Sequence, residues 1–289
     1  MDIIEEQIFN MPETVIKSLI AIIEASLKKA GLYVRVFGRV KNYSSLKKKH
    51  EIKKYNSQKK LQDLFGVRIT AYFKDDVKIC KDIMTKIFHV DNISEDHKEA
   101  STFKPERLNI VCKLPETIKK DLDGVLFNSY IDDTFEIQIR TVFSEGWHEV
   151  EHDLRYKCND EWDDEIETSR TLNGIYATLI TCDWAIIKLF DDRAYHKYRH
   201  EDWASMLRNK FRIKFIDTKI DDEFLENKKF MKEVFKLNRE RIVLNLTSLD
   251  FPLTMNNFLH IANVLYIKDN NIKTPTMIKK AIIRNNIKP

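Results

Sequence analysis

Glycine, proline and cysteine are all scarce in this chain of 289 residues. It contains six Gly, six Pro and four Cys, while 43% of its residues are hydrophobic. So few turn-forming residues argue against a β-sandwich with many tight turns, and the hydrophobic content argues against a disordered chain. The cysteines form no CxxC pair, so we expect them to pack as small hydrophobic side chains in a reducing compartment. They are Cys80, Cys112, Cys158 and Cys182.

Long apolar runs and a basic N-terminal stretch are also missing. No run of eighteen apolar residues is present, and the N-terminal stretch MDIIEEQIFN is acidic rather than basic. The sequence therefore predicts neither a membrane span nor a signal peptide. We expect a soluble, cytoplasmic protein.

The glycine-rich motifs of nucleotide-binding loops are absent as well. Neither G-x-x-x-x-G-K-[ST] nor G-x-G-x-x-G occurs, and G-x-S-x-G is missing too. A phosphate cradle would have to be built from side chains. The stretch VFGRVKNYSSLKKKH at 36–50 supplies five cationic side chains. It begins a longer basic block, in which nine Lys or Arg residues lie between Arg39 and Lys60 against the single acid Glu51. In a chain of net charge +4 this basic block favours a polyanionic ligand, with a solvated helix face as the structural alternative.

Hydrophobic periodicity predicts an α+β chain. Helical spacing is found at 12–30, 75–88, 142–157 and 171–192, and a short helix is expected at 45–54. Strand patterns are found at 32–40, 107–114 and 134–141, and 62–73 reads as a helix end followed by a buried strand. Beyond about Tyr195 only helical patterns remain, in FMKEVFKLNRERI, NFLHIANVLYI and TMIKKAIIRNNI. We predict a mixed domain over 1–195 and a helical extension over 196–289.

The predicted strand FEIQIR carries its polar side chains on one face. Side chains alternate along a strand, so Phe135, Ile137 and Ile139 are expected to enter a core. An acid, an amide and a cation then form a line on the opposite face. A surface strand is the structural alternative for these three residues, which are Glu136, Gln138 and Arg140.

The segment LQDLFGVRI contains a second acid and a cation inside an apolar run. Arg68 lies between Val67 and Ile69, and a charge in that setting needs a partner, of which a structural salt bridge is the simplest. If Asp63 and Glu136 come from neighbouring strand ends, their oxygens can hold Mg²⁺, which favours one or two carboxylates together with substrate phosphates. Phosphoryl and pyrophosphoryl transfer needs this combination of carboxylates and cations.

The stretch HEVEH offers a competing metal site. His148, Glu149 and His152 match the H-E-x-x-H pattern of zinc peptidases, in which two imidazoles on one helix face hold Zn²⁺ and the acid serves as base. Five-residue matches arise by chance, and the charged Glu151 fits poorly in a buried active-site helix. No third ligand is selected by the sequence.

Four segments in the same order resemble the RelA/SpoT-type alarmone (ppGpp) synthetases. The first is similar to R-x-K-x-x-x-S-x-x-x-K, the second to D-x-x-G-x-R, the third to E-x-Q-x-R-T and the fourth to W-x-x-x-x-H-x-x-x-Y-K. Together they cover about residues 32–158, and the last of them explains HEVEH without zinc. The matching residues are Arg39, Lys41, Ser45 and Lys49; Asp63, Gly66 and Arg68; Glu136, Gln138, Arg140 and Thr141; and Trp147, His152, Tyr156 and Lys157.

This resemblance implies a fold and a reaction. The fold would be a nucleotidyltransferase-like mixed β-sheet flanked by helices, here with a C-terminal helical extension. The reaction would move the β,γ-pyrophosphate of ATP to a ribose 3′-hydroxyl, usually of GDP or GTP. No hydrolase histidine-aspartate motif is found, so the chain resembles the small synthetase-only or toxic members.

The resemblance also implies roles for the residues. Asp63 and Glu136 would bind Mg²⁺, Glu136 would help to deprotonate the attacking hydroxyl, and Gln138 would lie in the same catalytic pocket. Arg68 would lie near the adenine. The residues assigned to ATP are Arg39, Lys41, Ser45, Lys49, Arg68, Arg140 and His152.

The acceptor side departs from the family pattern. The family carries a loop resembling N-G-Y-x-S-x-H whose Tyr stacks on the acceptor guanine, but the corresponding stretch here is STFKPERLNIV, without Tyr. We assign Phe103, Asn109 and Lys157 to acceptor binding. An adenine nucleotide or a tRNA 3′ end is a further candidate acceptor.

Two questions stay open at this level. One is whether the region is active or serves as an inactive nucleotide- or RNA-binding module. The other is the role of 196–289, for which we predict a homo-oligomer contact or the binding of an antitoxin or regulatory partner.

Overall fold

A computed structural model describes residues 13–41, 51, 55, 60–95, 107–122, 131–162 and 165–288. The strands are β1 (Val34–Val40), β2 (Phe65–Ala71), β3 (Val90–Glu95), β4 (Leu108–Lys113) and β5 (Thr134–Thr141). The helices up to the long central one are α1 (Glu13–Lys29), α2 (Lys74–Ile87), α3 (Glu116–Lys119), α4 (Val142–Glu151) and α5 (Ile166–Arg199). Those after it are α6 (Trp203–Phe211), α7 (Asp222–Leu225), α8 (Lys228–Lys236), α9 (Arg239–Leu246), α10 (Met255–Ala262) and α11 (Thr276–Arg284). A π-helical turn follows α4 at His152–Tyr156, and another follows α10 at Asn263–Ile267.

The five strands form one mixed sheet in the order β1-β2-β5-β4-β3. The central pair β2 and β5 is parallel, and the other three pairs are antiparallel. This confirms the predicted mixed sheet flanked by helices. The edge strand β3 was not predicted, because its sequence VDNISE is polar and five of its six residues are exposed.

Alternation along the strands divides the sheet into an apolar and a polar face. Phe65 and Val67 of β2 and Phe135 and Ile137 of β5 are at most 1% exposed. Burying such side chains contributes on the order of 1.5–3 kcal/mol each, so the register of this face is strongly fixed. The intervening residues of both strands lie on the opposite, polar face, as predicted for FEIQIR.

Helix α1 packs on the apolar face beside β1, at a position where the strand carries glycine. A Cβ on Gly38 would lie 2.6 Å from Cγ2 of Ile16 and 3.0 Å from Cδ1 of Ile20. The glycine therefore allows the close approach of the helix to the strand.

Of two helical segments predicted from the sequence, one is contradicted and the other lies almost wholly outside the described residues. The helix end expected at 62–64 is wrong, since Leu61 pairs with Ile131 in an isolated parallel bridge and the Gln62 carbonyl accepts from Thr134 Oγ1 at 2.9 Å. These residues lead into β2 in a non-helical conformation instead. The short helix expected at 45–54 lies outside the described residues except for Glu51.

The chain divides into two compact units. The first lies within Met1–Glu24, Val34–Tyr72 and Cys80–Ile180, and the second within Ala25–Tyr33, Phe73–Ile79 and Thr181–Pro289. The boundaries of the two units cut through α1, α2 and α5. The division into 1–195 and 196–289 stays a prediction.

The second unit contains a group of charges around a buried acid, which we call the Asp76 cluster: Asp75, Asp76, Arg212 and Arg239. Arg239 contacts Asp76 Oδ1 at 2.5 Å and Asp75 Oδ2 at 3.2 Å, and Arg212 contacts the same Asp75 oxygen at 2.6 Å. Arg239 Nε also donates to the Phe211 carbonyl at 2.6 Å. The Asp76 side chain is fully buried, so these contacts supply the partners that its charge needs.

The cysteines meet the prediction only in part. All four are free thiols; Cys80 and Cys112 are buried as expected, Cys158 is half-buried, and Cys182 on α5 is exposed. Burial raises the pKa of the Cys112 thiol to about 12.

None of the helices in the described part of the chain is long and apolar enough to span a membrane.

Candidate functional site

A pocket opens on the polar face of the first unit, over β1, β2 and β5. Six residues assigned to catalysis or ATP from the sequence line it together: Arg39, Lys41, Asp63, Arg68, Glu136 and Gln138. The remaining lining residues are Phe37, Gly38, Leu64, Gly66 and Val67. Asp63 and Glu136 thus open onto one surface, as the prediction required.

Strand register explains this convergence. In one row across the sheet Arg39 of β1 lies beside Gly66 of β2, which lies beside Glu136 of β5. Residues paired across neighbouring strands point to the same face. Because Gly66 has no side chain, the space between the guanidinium of Arg39 and the carboxylate of Glu136 stays open. A Cβ there would meet only Arg39 atoms, at 3.9 Å or more.

Two amides hold the carboxylate of Glu136. Asn109 Nδ2 on β4 donates to Oε1 at 3.0 Å, and Gln138 Nε2 donates to Oε2 at 2.9 Å. Each oxygen keeps a further lone pair. The arrangement fixes the orientation of the carboxylate.

Asp63 lies at the entrance to β2, beside the end of β1. Its Oδ2 is 2.6 Å from Lys41 Nζ, and both side chains are 24% exposed. The Lys41 amide donates to the Leu64 carbonyl at 2.8 Å, which fixes the end of β1 against this loop. The pair is therefore held in place but open to solvent and to a ligand.

The donor set at the pocket fits Mg²⁺. Asp63 and Glu136 offer oxygen ligands from two adjacent strands, and Mg²⁺ uses one or two carboxylates and completes its shell with water and phosphate oxygens. Arg39 and Lys41 in the same pocket suit those phosphates.

Two acids on α4 were not identified from the sequence. Arg68 Nη1 contacts Oε1 of both Glu145 and Glu149, and Glu145 Oε2 accepts from Arg140 Nη1 at 3.1 Å. The partners that the charge of Arg68 requires are thus two carboxylates on helix α4. Burial lowers the pKa of Arg140 and the charge of Glu145 opposes that effect.

This use of Glu149 disfavours the zinc alternative. Glu149, the base of the H-E-x-x-H reading, is paired with Arg68. His152 Nδ1 lies 2.9 Å from Asp153 Oδ1, and the ring centroids of His148 and His152 are 6.2 Å apart. Within the residues that the structure describes, no group of three or more His, Cys, Asp or Glu side chains is placed to hold a metal.

The other assigned residues are not among the pocket-lining residues. Asn109 contacts the pocket residue Glu136. Arg140 contacts Glu145, which in turn contacts the pocket residue Arg68. Lys157 pairs with Asp153 at 2.7 Å on the surface, and His152 contacts the same acid. Ser45, Lys49 and Phe103 lie outside the described residues.

Phe37 is a pocket residue that the sequence did not single out. It is 53% exposed and faces the pocket from the edge strand β1. Its place on the same strand face as Arg39 was the available signal, since the two are separated by one residue.

The region around this pocket is similar to known proteins. Residues 38–161 match the family model described as a region found in RelA / SpoT proteins. A curated relative, GTP pyrophosphokinase YjbM of Bacillus subtilis (strain 168), is 32% identical over 130 residues, which are 42% of this chain and 56% of that protein. The chain thus spans just over half of that relative's length.

Two solved structures are also similar. Small alarmone synthetase 1 from Bacillus subtilis is 23% identical, with 61% of this chain and 92% of that chain covered and a TM-score of 0.46. A GTP pyrophosphokinase family protein from Streptococcus pneumoniae is 28% identical, with 64% and 90% covered and a TM-score of 0.46. The assignment of residues 38–161 depends on the sequence matches, since both TM-scores are below 0.5.

Proposed function

Since residues 38–161 are a RelA/SpoT region, we propose that the first unit is a nucleotide pyrophosphokinase. The 3′-hydroxyl oxygen of the acceptor ribose attacks the β-phosphorus of ATP. A bond forms between that oxygen and the β-phosphorus, and the bond from the β-phosphorus to the α,β-bridging oxygen breaks. AMP leaves with the bridging oxygen, and the hydroxyl proton passes to a base.

One observation carries this proposal: two carboxylates, one just before β2 and one on β5, and two cations at the end of β1 line a single pocket. Asp63 and Glu136 face Arg39 and Lys41 there. Transfer of a pyrophosphoryl group demands little covalent chemistry from the protein. It demands positioning and neutralisation of phosphate charge, which this set of side chains provides.

The two carboxylates would bind Mg²⁺ and accept the proton of the attacking hydroxyl. Asp63 and Glu136 would hold the ion, which when bound neutralises charge on the phosphate oxygens. Glu136 is held in place by the amides of Asn109 and Gln138, and a carboxylate so oriented can also accept the hydroxyl proton.

The cations are suited to the triphosphate. An ammonium has three N–H donors, so Lys41 can keep its contact with Asp63 and still bind a phosphate oxygen. Arg39 offers a planar fork to two oxygens at once. Ser45 and Lys49 are predicted to complete this set.

For the acceptor we propose GDP or GTP. Asn109 supports an acceptor side next to β4, because it lies beside Gln138 in the sheet and contacts the proposed base. Phe103 and Lys157 remain predictions for the same side. Adenine nucleotides and tRNA 3′ ends are the alternatives that the experiment below separates, and a toxic role would depend on that result.

The test is transfer from ATP labelled in its β-phosphate to a panel of GDP, GTP, ADP and tRNA, with AMP release measured in parallel. We expect label in a nucleotide product with one AMP formed per transfer. Asp63→Asn and Glu136→Gln should lower the rate at least about a hundredfold. Glu95→Gln, which removes an exposed carboxylate from β3, is the matched control and should leave the rate unchanged.

The outcomes separate the candidates. Binding of ATP without transfer to any acceptor would indicate the inactive nucleotide-binding module instead. Full activity in both carboxylate variants would overturn their assignment, provided that circular dichroism shows them folded.

A further inference from the structure

A second cavity opens within the second unit and shares no lining residue with the pocket of the first. Its volume is about 710 Å³, in the range of roughly 300–1,000 Å³ that is typical of small-molecule sites. The end of α1, the segment 247–251 after α9, and α11 border it. Its lining includes three cations, a hydroxyl and two apolar side chains, which are Lys29, Lys280, Arg284, Ser248, Phe251 and Met277.

Two of these cations lie side by side on α11 without an acid. Lys280 and Arg284 are four residues apart, so their side chains are neighbours on the helix surface, and like charges at this spacing repel each other. Both are exposed. Among the residues that the structure describes, none forms an ion pair or a hydrogen bond with either side chain. Residues 270–289 contain five Lys or Arg and no acid, so nothing nearby in the sequence neutralises this charge.

The helix that carries these two cations is anchored on its other side. Ile278 and Ile282 are 1% and 5% exposed. After the helix the Ile287 amide donates to the Ile282 carbonyl at 3.1 Å, and Asn245 Nδ2 of α9 donates to the Lys288 carbonyl at 3.0 Å. The two cations therefore keep a fixed position at the cavity.

The rest of the lining adds a third cation and an apolar surface. Lys29 Nζ lies 3.1 Å from Asp250 Oδ1, and its side chain is 49% exposed. An ammonium has three N–H donors, so Lys29 can keep this contact and still bind an anion. Asp250 is the single acid among the described lining residues, so the cavity is positively charged. Met277, which is 65% exposed, and Phe251 supply the apolar surface.

A phosphate ester fits the chemistry of this lining. A phosphate monoester carries about one and a half to two negative charges at neutral pH, which the cations would neutralise. Arg284 offers a planar fork to two oxygens, Lys280 offers an ammonium, and the Ser248 hydroxyl can donate a further hydrogen bond. The apolar surface suits the organic group that bears the phosphate.

We propose that this cavity is a second ligand site, which binds the phosphate group of an organic phosphate ester through Lys280 and Arg284. The inference goes beyond the proposed function, because it uses no residue of the pocket in the first unit. A free nucleotide and an RNA strand both present this group, and the experiment separates the two sources.

The experiment measures the binding of inorganic phosphate, AMP and a short single-stranded RNA to the full chain by isothermal titration calorimetry. The variants are Lys280→Gln, Arg284→Gln and the double substitution. Lys279→Gln is the matched control, because this neighbouring exposed cation on α11 is not a lining residue. Binding of AMP in the first unit would be the same in all these variants, so the comparison with Lys279→Gln isolates the cavity.

We expect AMP or the RNA to bind more tightly than inorganic phosphate, and the tighter of the two identifies the source. Its affinity should fall roughly tenfold in Lys280→Gln and in Arg284→Gln, because each loses a charge-assisted hydrogen bond. For RNA the salt dependence of the logarithm of affinity should fall by about one for each contact removed. Lys279→Gln should change the affinity less than about twofold, because solvent and salt screen a charge outside the cavity.

Several results would overturn the inference. Binding of none of the three probes, or unchanged affinity in the double variant, would remove the site. Equal losses in Lys279→Gln and Lys280→Gln would show a general attraction to a basic surface. Inorganic phosphate bound as tightly as AMP and RNA would exclude an organic ester as the ligand. A lower melting temperature in the double variant with unchanged affinity would show that these cations only stabilise the C-terminal end of α11.

Discussion

The pocket face of the first unit and the Asp76 cluster of the second both contain paired charges, but the acid at the centre of the cluster is closed to water, although Asp75 at its rim is 34% exposed. Lys41 and Asp63 are each 24% exposed, whereas Asp76 is fully buried and Arg239 is 8% exposed. In the cluster the partners of each charge are other protein groups, including a backbone carbonyl. In the pocket the Lys41–Asp63 pair lies at a surface that a ligand can reach.

Exposure to solvent distinguishes a candidate binding site from a structural ion pair. A buried charge whose partner is removed costs several kcal/mol, so a closed cluster is essential to the fold. A partly exposed pair contributes little to stability, so its removal should leave the fold almost unchanged. Three substitutions or conditions can test this contrast.

The largest effect on stability is expected in the cluster. Arg239→Met leaves the Asp76 carboxylate buried without its 2.5 Å partner, and we expect the free energy of unfolding to fall by about 3–5 kcal/mol. Urea denaturation followed by circular dichroism measures it. Lys78→Ala is the matched control, because its pair with Glu240 is exposed and should contribute less than about 1 kcal/mol. Equal midpoints for the two variants would show that the cluster is dispensable.

The contribution of the Asp76 cluster to stability should depend on pH. Burial raises the pKa of Asp76 to about 6 from an ordinary value of 3.8, against the opposing charges of Arg239 and Arg212. The folded chain therefore binds a proton that the unfolded chain has lost between about pH 4 and pH 6. Stability from this group is full below pH 4 and is lost as the pH rises through 6.

The expected size follows from the two pKa values. They differ by about 2, which corresponds to about 3 kcal/mol between pH 4 and pH 7. Denaturation midpoints of the unsubstituted chain and of Asp76→Asn, measured across this range, isolate the contribution because the other titrating groups are shared. Parallel pH curves would refute the assignment.

The smallest effect on stability belongs to the pocket, where the effect on activity should be large. Lys41→Met removes the ion pair with Asp63, and we expect a loss of less than about 1 kcal/mol because the pair is open to solvent. Transfer from ATP should fall about a hundredfold or more, since a cation on the phosphates is gone. A large fall in melting temperature instead would make Lys41 a structural residue like Arg239.

Much of this architecture follows from period-two patterns in the sequence. The strand FEIQIR turned its three apolar residues into the core and the other three to the polar face, because side chains must alternate along a strand. The sequence predicts that Asp63 and Glu136 share a site only if β2 and β5 are neighbours in the sheet. The parallel register of those strands meets the condition.

What the sequence did not reveal depends on contacts between distant segments. Glu145 lies 77 residues after Arg68, and nothing local indicates that α4 covers this part of the sheet. The same holds for Arg239, which reaches Asp76 across 163 residues. Strand β3 escaped prediction for another reason: an edge strand with both sides open to water has no hydrophobic alternation to detect.

The unequal environments of the four cysteines have a practical consequence. Cys182 lies exposed on the long helix α5, while Cys80 and Cys112 are shut inside and Cys112 resists ionisation at neutral pH. A maleimide dye added to the native chain should therefore react first at Cys182. That single attachment point would give a fluorescent reporter on α5 without any engineered thiol.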